Sequence, residues 1–189
     1  AGGGVGDGER EAGARGNLSQ HAERRLAVLR PSELVVERWP EGQVEYLEAV
    51  NNPEDPSAGT RQIPFSGRLW IEQDDFRAEA PRKYFRLTPG REVRLRWAYF
   101  VTCTGFDTDP ETGEVARVRC TYDPATRGGD APDGRKVKGT IHWVSAEHAV
   151  TAPVALYDRL FADGAPEQGE WRENLNESSL EVLPDCQLE

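Results

Sequence analysis

EVRLRWAYFVTCTGFDTDPETGEVARVRCTY, residues 92–122, decides the fold class. Side chains of an extended strand point alternately to its two sides. Residues 92–104 follow that period: Val93, Leu95, Trp97, Tyr99 and Val101 share one face of a long strand, and Arg94, Arg96, Ala98 and Phe100 share the other. DTDPETG (107–113) concentrates Asp, Pro and Gly, the residues that favour a turn. Alternation resumes over 114–122. The stretch predicts two strands folded back on each other.

Outward from this hairpin, further period-2 or β-branched runs lie at 34–38, 44–48, 61–65, 68–72, 136–144 and 154–161, bounded by Pro, Gly and Asn. Only QDDFRAEA (73–80) reads as a short helix, and a helical turn is expected over 17–25. Many strands with almost no amphipathic helix give an all-β barrel or sandwich. No internal repeat of fixed period is present. Residues 1–16 are rich in Gly, Glu and Arg and almost free of large apolar side chains, so a disordered N-terminal tail is expected there. A short helical or linker approach follows over 17–30, and a β-barrel region over 31–189.

The chain has 189 residues, 37% hydrophobic and 30% charged, which suits a folded water-borne domain. No apolar run approaches the ~20 residues of a membrane helix, and no secretion leader opens the sequence; a cytoplasmic protein is expected. Methionine is absent, which is simplest for a piece of a longer chain. The three cysteines, Cys103, Cys120 and Cys186, form no C-x-x-C pair and suggest neither a disulfide scaffold nor a zinc knuckle. Cys103 and Cys120 flank the hairpin and can face each other, as thiols in a reducing cytosol.

Catalytic signatures are missing. His21, His142 and His148 stand in no H-E-x-x-H, no serine lies in G-x-S-x-G, and the glycines of AGGGVGDG fit no dinucleotide frame. Basic groups interleaved with aromatics are present instead: Lys83-Tyr84-Phe85-Arg86, then Arg94-Leu95-Arg96-Trp97-Ala98-Tyr99. Guanidinium forks and aromatic faces are the means by which proteins hold single-stranded RNA. The formal net charge of −10 opposes RNA binding as a sum, but Arg82, Lys83, Arg86, Arg91, Arg94 and Arg96 cluster against one acid, Glu92. An acidic protein with such a strip still presents a basic face. Trp97 and Tyr99 are read as core rather than platform, and Lys136 and Lys138 as solvent-facing.

CTYDPATRGGDAPDGRKVKGTIHWVSAEHAV (120–150) and LYDRLF (156–161) resemble the end of the class I glutaminyl-tRNA synthetases. RRLAVLRP (24–31), GTRQIPFSG (59–67) and KYFRLTPGREVRLR (83–96) support the resemblance, which runs from about Asn17 to Glu189. It implies two β-barrels, related to a ribosomal 5S rRNA-binding barrel, that hold the anticodon loop of tRNA(Gln). It further implies that Arg24 and Arg86 contact the anticodon, Arg86 at its third base, that Arg94 serves its first base, and that Lys83 lies in the same strip. The H-I-G-H and K-M-S-K-S type segments of the catalytic domain are absent; the resemblance implies that domain upstream, with ATP and Mg as the parent enzyme's cofactors and none in this chain. Asn52 and Trp97 replace the His and Asn usual in the family, and the family's final strands are expected to be missing after PDCQLE (184–189). A stand-alone RNA-binding barrel and a non-catalytic truncated synthetase are the competing readings.

Overall fold

The computed structural model describes residues 16–17, 22–162, 172 and 174–189. The tail expected over 1–16 falls outside these except for Gly16. Of the helical turn expected over 17–25, residues 18–21 also fall outside, and 22–26 run without regular structure.

Beyond that point the described residues are all-β apart from three single 3-10 turns. Twelve strands follow: β1 (Ala27–Val28), β2 (Pro31–Val36), β3 (Glu45–Val50), β4 (Thr60–Phe65), β5 (Arg68–Glu72), β6 (Glu92–Leu95), β7 (Phe100–Thr108), β8 (Val115–Asp123), β9 (Thr140–Ile141), β10 (Val144–Ser145), β11 (Val150–Tyr157) and β12 (Leu180–Leu188). Seven of them form one sheet in the order β10-β5-β2-β8-β7-β6-β9. Its two edge strands are separated in sequence by His142 and Trp143 alone. Three chain steps span at most about 11 Å, so the sheet curls until its edges approach each other. The sheet is thus a curled half-barrel whose two edge strands, joined by a bend within residues 140–145, are not paired with each other.

The hairpin read from the sequence is β7–β8, antiparallel, with Gly113 at φ +73° donating its N–H to Asp109 O at 2.8 Å. Cys103 and Cys120 stand directly opposite each other on these strands as buried free thiols. Inward residues such as Leu34, Leu69, Val93, Val101 and Ile141 are buried completely or nearly so. The hairpin β3–β4 lays Leu47, Ala49, Ile63 and Phe65 onto this core. The Phe65 ring meets Trp39, Tyr99 and Trp143 edge-on at centroid distances of 4.9, 5.3 and 5.0 Å, the arrangement that aromatic quadrupoles favour.

Three expected elements differ. The strand expected over 92–104 is two strands, β6 and β7, reversed by a turn at residues 96–99, where Ala98 N–H reaches Leu95 O and Leu95 N–H reaches Tyr99 O. Trp97 adopts φ +61° there. Ala98 is therefore buried within the turn, and Phe100 is buried opposite Arg94 on the neighbouring strand. The turn contains no Gly, Pro or Asn, so alternation reads straight through it. The helix expected over 73–80 shrinks to a 3-10 turn, Gln73–Asp75, because Phe76 is drawn into the core against Phe106 and bridges to Leu87; a single isolated turn has no cooperativity to resist this. Of the strand expected over 136–144, only β9 and the first residue of β10 are formed. Gly139 passes so close to Phe85 that a Cβ would lie 1.9 Å from its carbonyl oxygen.

β1, β12 and β11 form a separate three-stranded sheet, with Ala27 and Val150 both paired to Leu188. Pro153 and Pro184 stand at its register shift, where a missing N–H breaks no ladder bond. Glu189 fastens this sheet to β4. Its carboxylate is paired with Arg61, side chains only 13% and 12% exposed, and accepts the Leu26 N–H at 3.0 Å. On the curled sheet, nearly buried Glu33 accepts Arg68 Nε and Arg117 Nε at 2.6 Å each. Burial pushes both carboxyls up, but hydrogen bonds outweigh it, from Arg117 and Arg68 at Glu33 and from Arg61 and the Leu26 N–H at Glu189. Both are held below the ordinary value. A carboxyl lowered in the folded state adds stability that is complete above its unfolded pKa, about 4.3, and is lost as the pH falls through the folded one. The thermal midpoint is expected to fall between about pH 5 and pH 3, and less steeply for Glu189→Gln. Identical slopes by calorimetry would show that the Glu189 pair contributes nothing.

Candidate nucleic-acid interface

Arg86 is positioned by its neighbours. Leu87 is fully buried; its N–H reaches Asp75 O at 2.9 Å and its carbonyl accepts from Arg77 at 3.1 Å. With Leu87 anchored inward, Arg86 projects outward, half-exposed, and its guanidinium pairs with the carboxylate of Asp75, which is 0% exposed.

Arg96 follows β6 and opens the turn to β7. Its N–H reaches Ile141 O at 3.0 Å, its carbonyl accepts Trp143 Nε1 at 2.9 Å, and its guanidinium carbon lies 5.2 Å from the Trp97 ring centroid. The backbone is thus fixed on both sides while the side chain is exposed. Arg24 is tied by its N–H to Asn51 O at 2.9 Å and pairs with Glu54 at 3.3 Å; Arg25 pairs with Glu23 at 2.6 Å.

Two depressions join around these side chains. The smaller, about 210 Å³, is lined by Arg24, Arg25, Leu26, Val50, Pro53, Arg96 and Trp97. The larger, about 440 Å³, is lined by Arg25, Leu26, Ala27, Arg86, Arg96, Thr140, Ile141 and His142. Arg25, Leu26 and Arg96 belong to both, so the two are one groove carrying four arginines. Glu72 lies at its margin, 3.6 Å from His142. Burial pushes the Glu72 carboxyl up, but hydrogen bonds from His142 and from the Leu29 and Arg30 N–H groups hold it below its ordinary value. That carboxylate stays ionised, so the basic character of the groove, on a chain of net charge −10, rests on its four arginines, of which Arg24, Arg25 and Arg86 are ion-paired with Glu54, Glu23 and Asp75.

Of the residues singled out in the sequence, Arg24 and Arg86 line this groove. Lys83 is exposed and lines neither depression. Arg94 points elsewhere: its guanidinium carbon lies 5.3 Å from the Phe100 ring centroid and it pairs with Asp130 at 3.6 Å. Lys136 and Lys138 are exposed, as expected, and share a third depression of about 340 Å³ with Phe85 and Arg91. Sequence reading missed Arg25 and Arg96 as groove residues. RRLAV and VRLRW carry two arginines each, and only the turn at 96–99 determines that Arg96, not Arg94, reaches the groove. Trp97 lines it too, part-buried and packed against the core, while Tyr99 is fully core and donates its hydroxyl to Glu45 at 2.5 Å.

Residues 22–123 match the family described as tRNA synthetases class I (E and Q), anti-codon binding domain, and residues 140–189 match a second family of the same description. The chain is 55% identical over 175 residues to a glutamine–tRNA ligase of Bradyrhizobium diazoefficiens, covering 93% of this chain and 31% of that protein. It is 57% identical over 169 residues to one from Nitrobacter hamburgensis (89% and 30%) and 52% identical over 177 residues to one from Rhodopirellula baltica (92% and 29%). The chain thus spans about 30% of the length of these curated relatives.

Proposed function

Since the chain belongs to the anticodon-binding domain family of the class I tRNA synthetases for glutamate and glutamine, we propose that its arginine groove holds the anticodon loop of tRNA(Gln) and serves the glutaminylation of that tRNA. The observation that carries this reading is the continuous groove in which Arg24, Arg25, Arg86 and Arg96 converge. Arginine suits the task because it is always charged and its planar fork of donors matches phosphates and base edges. Arg24 and Arg86 act as anticodon contacts, and Lys83 supplies a nearby charge for the backbone. The groove favours Arg96 over Arg94 for the remaining contact, since Arg94 is engaged with Phe100 and Asp130. Ligation itself, with its ATP and Mg, belongs to the part of the relatives' length that this chain does not span, and no residue here is given a role in it.

Binding of the chain to the glutamine anticodon stem-loop and to stem-loops with single anticodon changes tests the proposal. Arg96→Ala is expected to weaken the matched loop about tenfold. Arg86→Lys keeps a cation beside Asp75 but loses the fork, and is expected to relax discrimination at one base by about 1–3 kcal/mol. Affinity should fall steeply with salt, and Arg96→Ala should flatten that slope. Equal binding of matched and altered loops would overturn the reading.

A further inference from the structure

Trp97 occupies the turn between β6 and β7 at φ +61°, in the left-handed region. That conformation crowds the Cβ of any residue but glycine and is tolerated best by glycine and asparagine. Part of the indole packs against the core, and the rest lines the groove. Ala98 and Tyr99, the next two residues, are the ones buried, and the two backbone hydrogen bonds of the turn are made by Leu95, Ala98 and Tyr99. Persistent strain of this kind points to a role for the side chain.

The surroundings of the ring specify that role. Trp97 lines the smaller depression of the groove with Arg24, Arg25 and Arg96. Two guanidinium carbons lie near its centroid, Arg96 at 5.2 Å and Arg61 at 5.5 Å. They differ in freedom. Arg61 is nearly buried and held by Glu189 and by the Val50 carbonyl at 3.1 Å. Arg96 is exposed and forms no ion pair among the described residues. The indole therefore has one fixed cationic neighbour and one that can leave.

We infer that Trp97 is a stacking platform for one unpaired nucleobase, which takes the place of the Arg96 guanidinium on the indole and releases that guanidinium to a phosphate of the same strand. The exchange gives up a surface cation–π contact for a base stack and a charge-assisted phosphate contact, each the stronger interaction. The inference rests on the reading that the groove holds an RNA loop, and it adds a base-stacking site to a groove otherwise described by its charges.

The test uses the glutamine anticodon stem-loop and a set of the same stem-loops in which each loop nucleotide in turn lacks its base. Trp97→Asn is expected to bind the intact loop about tenfold more weakly, and Trp97→Phe to keep most of the affinity. One abasic loop should weaken the unsubstituted chain by a similar factor, with no further loss from Trp97→Asn on that loop. If Trp97→Asn folds poorly, Trp97→Leu, apolar but without a π face, carries the same comparison. An equal loss on the intact loop and on every abasic loop would overturn the stacking role, and so would no loss while Arg96→Ala still weakens binding. Failure of the unsubstituted chain to bind any loop would overturn the underlying reading, and this inference with it.

Discussion

Arg86→Ala is expected to lose about 3 kcal/mol of folding stability, in addition to any RNA contact it removes. The reason is Asp75. Its carboxylate is 0% exposed, and among the described residues no group other than the Arg86 guanidinium offers it a donor, so Arg86 is its compensation. Removing one partner of a buried pair costs about 3–5 kcal/mol, because the other charge is left uncompensated in a poor solvent. The low end applies here, since the Arg86 side chain is 49% exposed and water already screens part of the attraction. Urea denaturation should show the loss as a lower midpoint with an unchanged slope. In an Asp75→Asn background the same alanine substitution should cost far less, because the charge it would strand is gone. A midpoint unmoved by Arg86→Ala would show that the carboxylate finds relief elsewhere. Arg86→Ala therefore mixes a binding loss with a folding loss, and Arg86→Lys separates them.

Trp143→Ala is expected to cost about 3–5 kcal/mol, the range for deleting a large buried aromatic. Trp143 is 1% exposed, packs edge-on against Phe65, and donates Nε1–H to the Arg96 carbonyl at 2.9 Å. The alanine variant loses the ring's burial, leaves a cavity beside Phe65, and strands a carbonyl at the start of the β6–β7 turn. Trp143→Phe retains most of the apolar volume but not the donor, and is expected to cost about 1–2 kcal/mol. A tryptophan-to-alanine loss below that of the phenylalanine variant would mean that the bend at residues 142–143 is held by something other than this side chain. The two substitutions also differ in what they do to the groove, since both free the Arg96 backbone but only alanine opens the core behind it.

The sequence made the β7–β8 hairpin legible because its turn has the expected chemistry: Asp109 caps the following N–H groups and Gly113 accepts a positive φ. The family resemblance pointed to Arg24 and Arg86, and both line the groove. The turn at 96–99 was not legible, because the residues that make it, Arg-Trp-Ala-Tyr, have no turn preference and owe their conformation to the burial of Ala98 and Tyr99. That one reversal decides which arginine of the VRLR run reaches the groove. β12 was hidden for a different reason: Pro184 and Asp185 break its alternation, and they are accommodated only because the facing strand carries a register shift at the same level. Both failures come from tertiary context overriding local preference.

The bend that joins the two edges of the curled sheet also forms a wall of the groove. Strands β9 and β10 are two residues each, the shortest in that sheet, and Thr140, Ile141 and His142 line the larger depression. A curled sheet parts most easily where its edges are shortest, and here those edges border the groove. Whatever occupies the groove only while that wall stands must, by linkage, act as a brace on it. On the proposed reading, recognition and the integrity of the fold would then draw on one free energy, and a loop that fits poorly would leave those edges free to part.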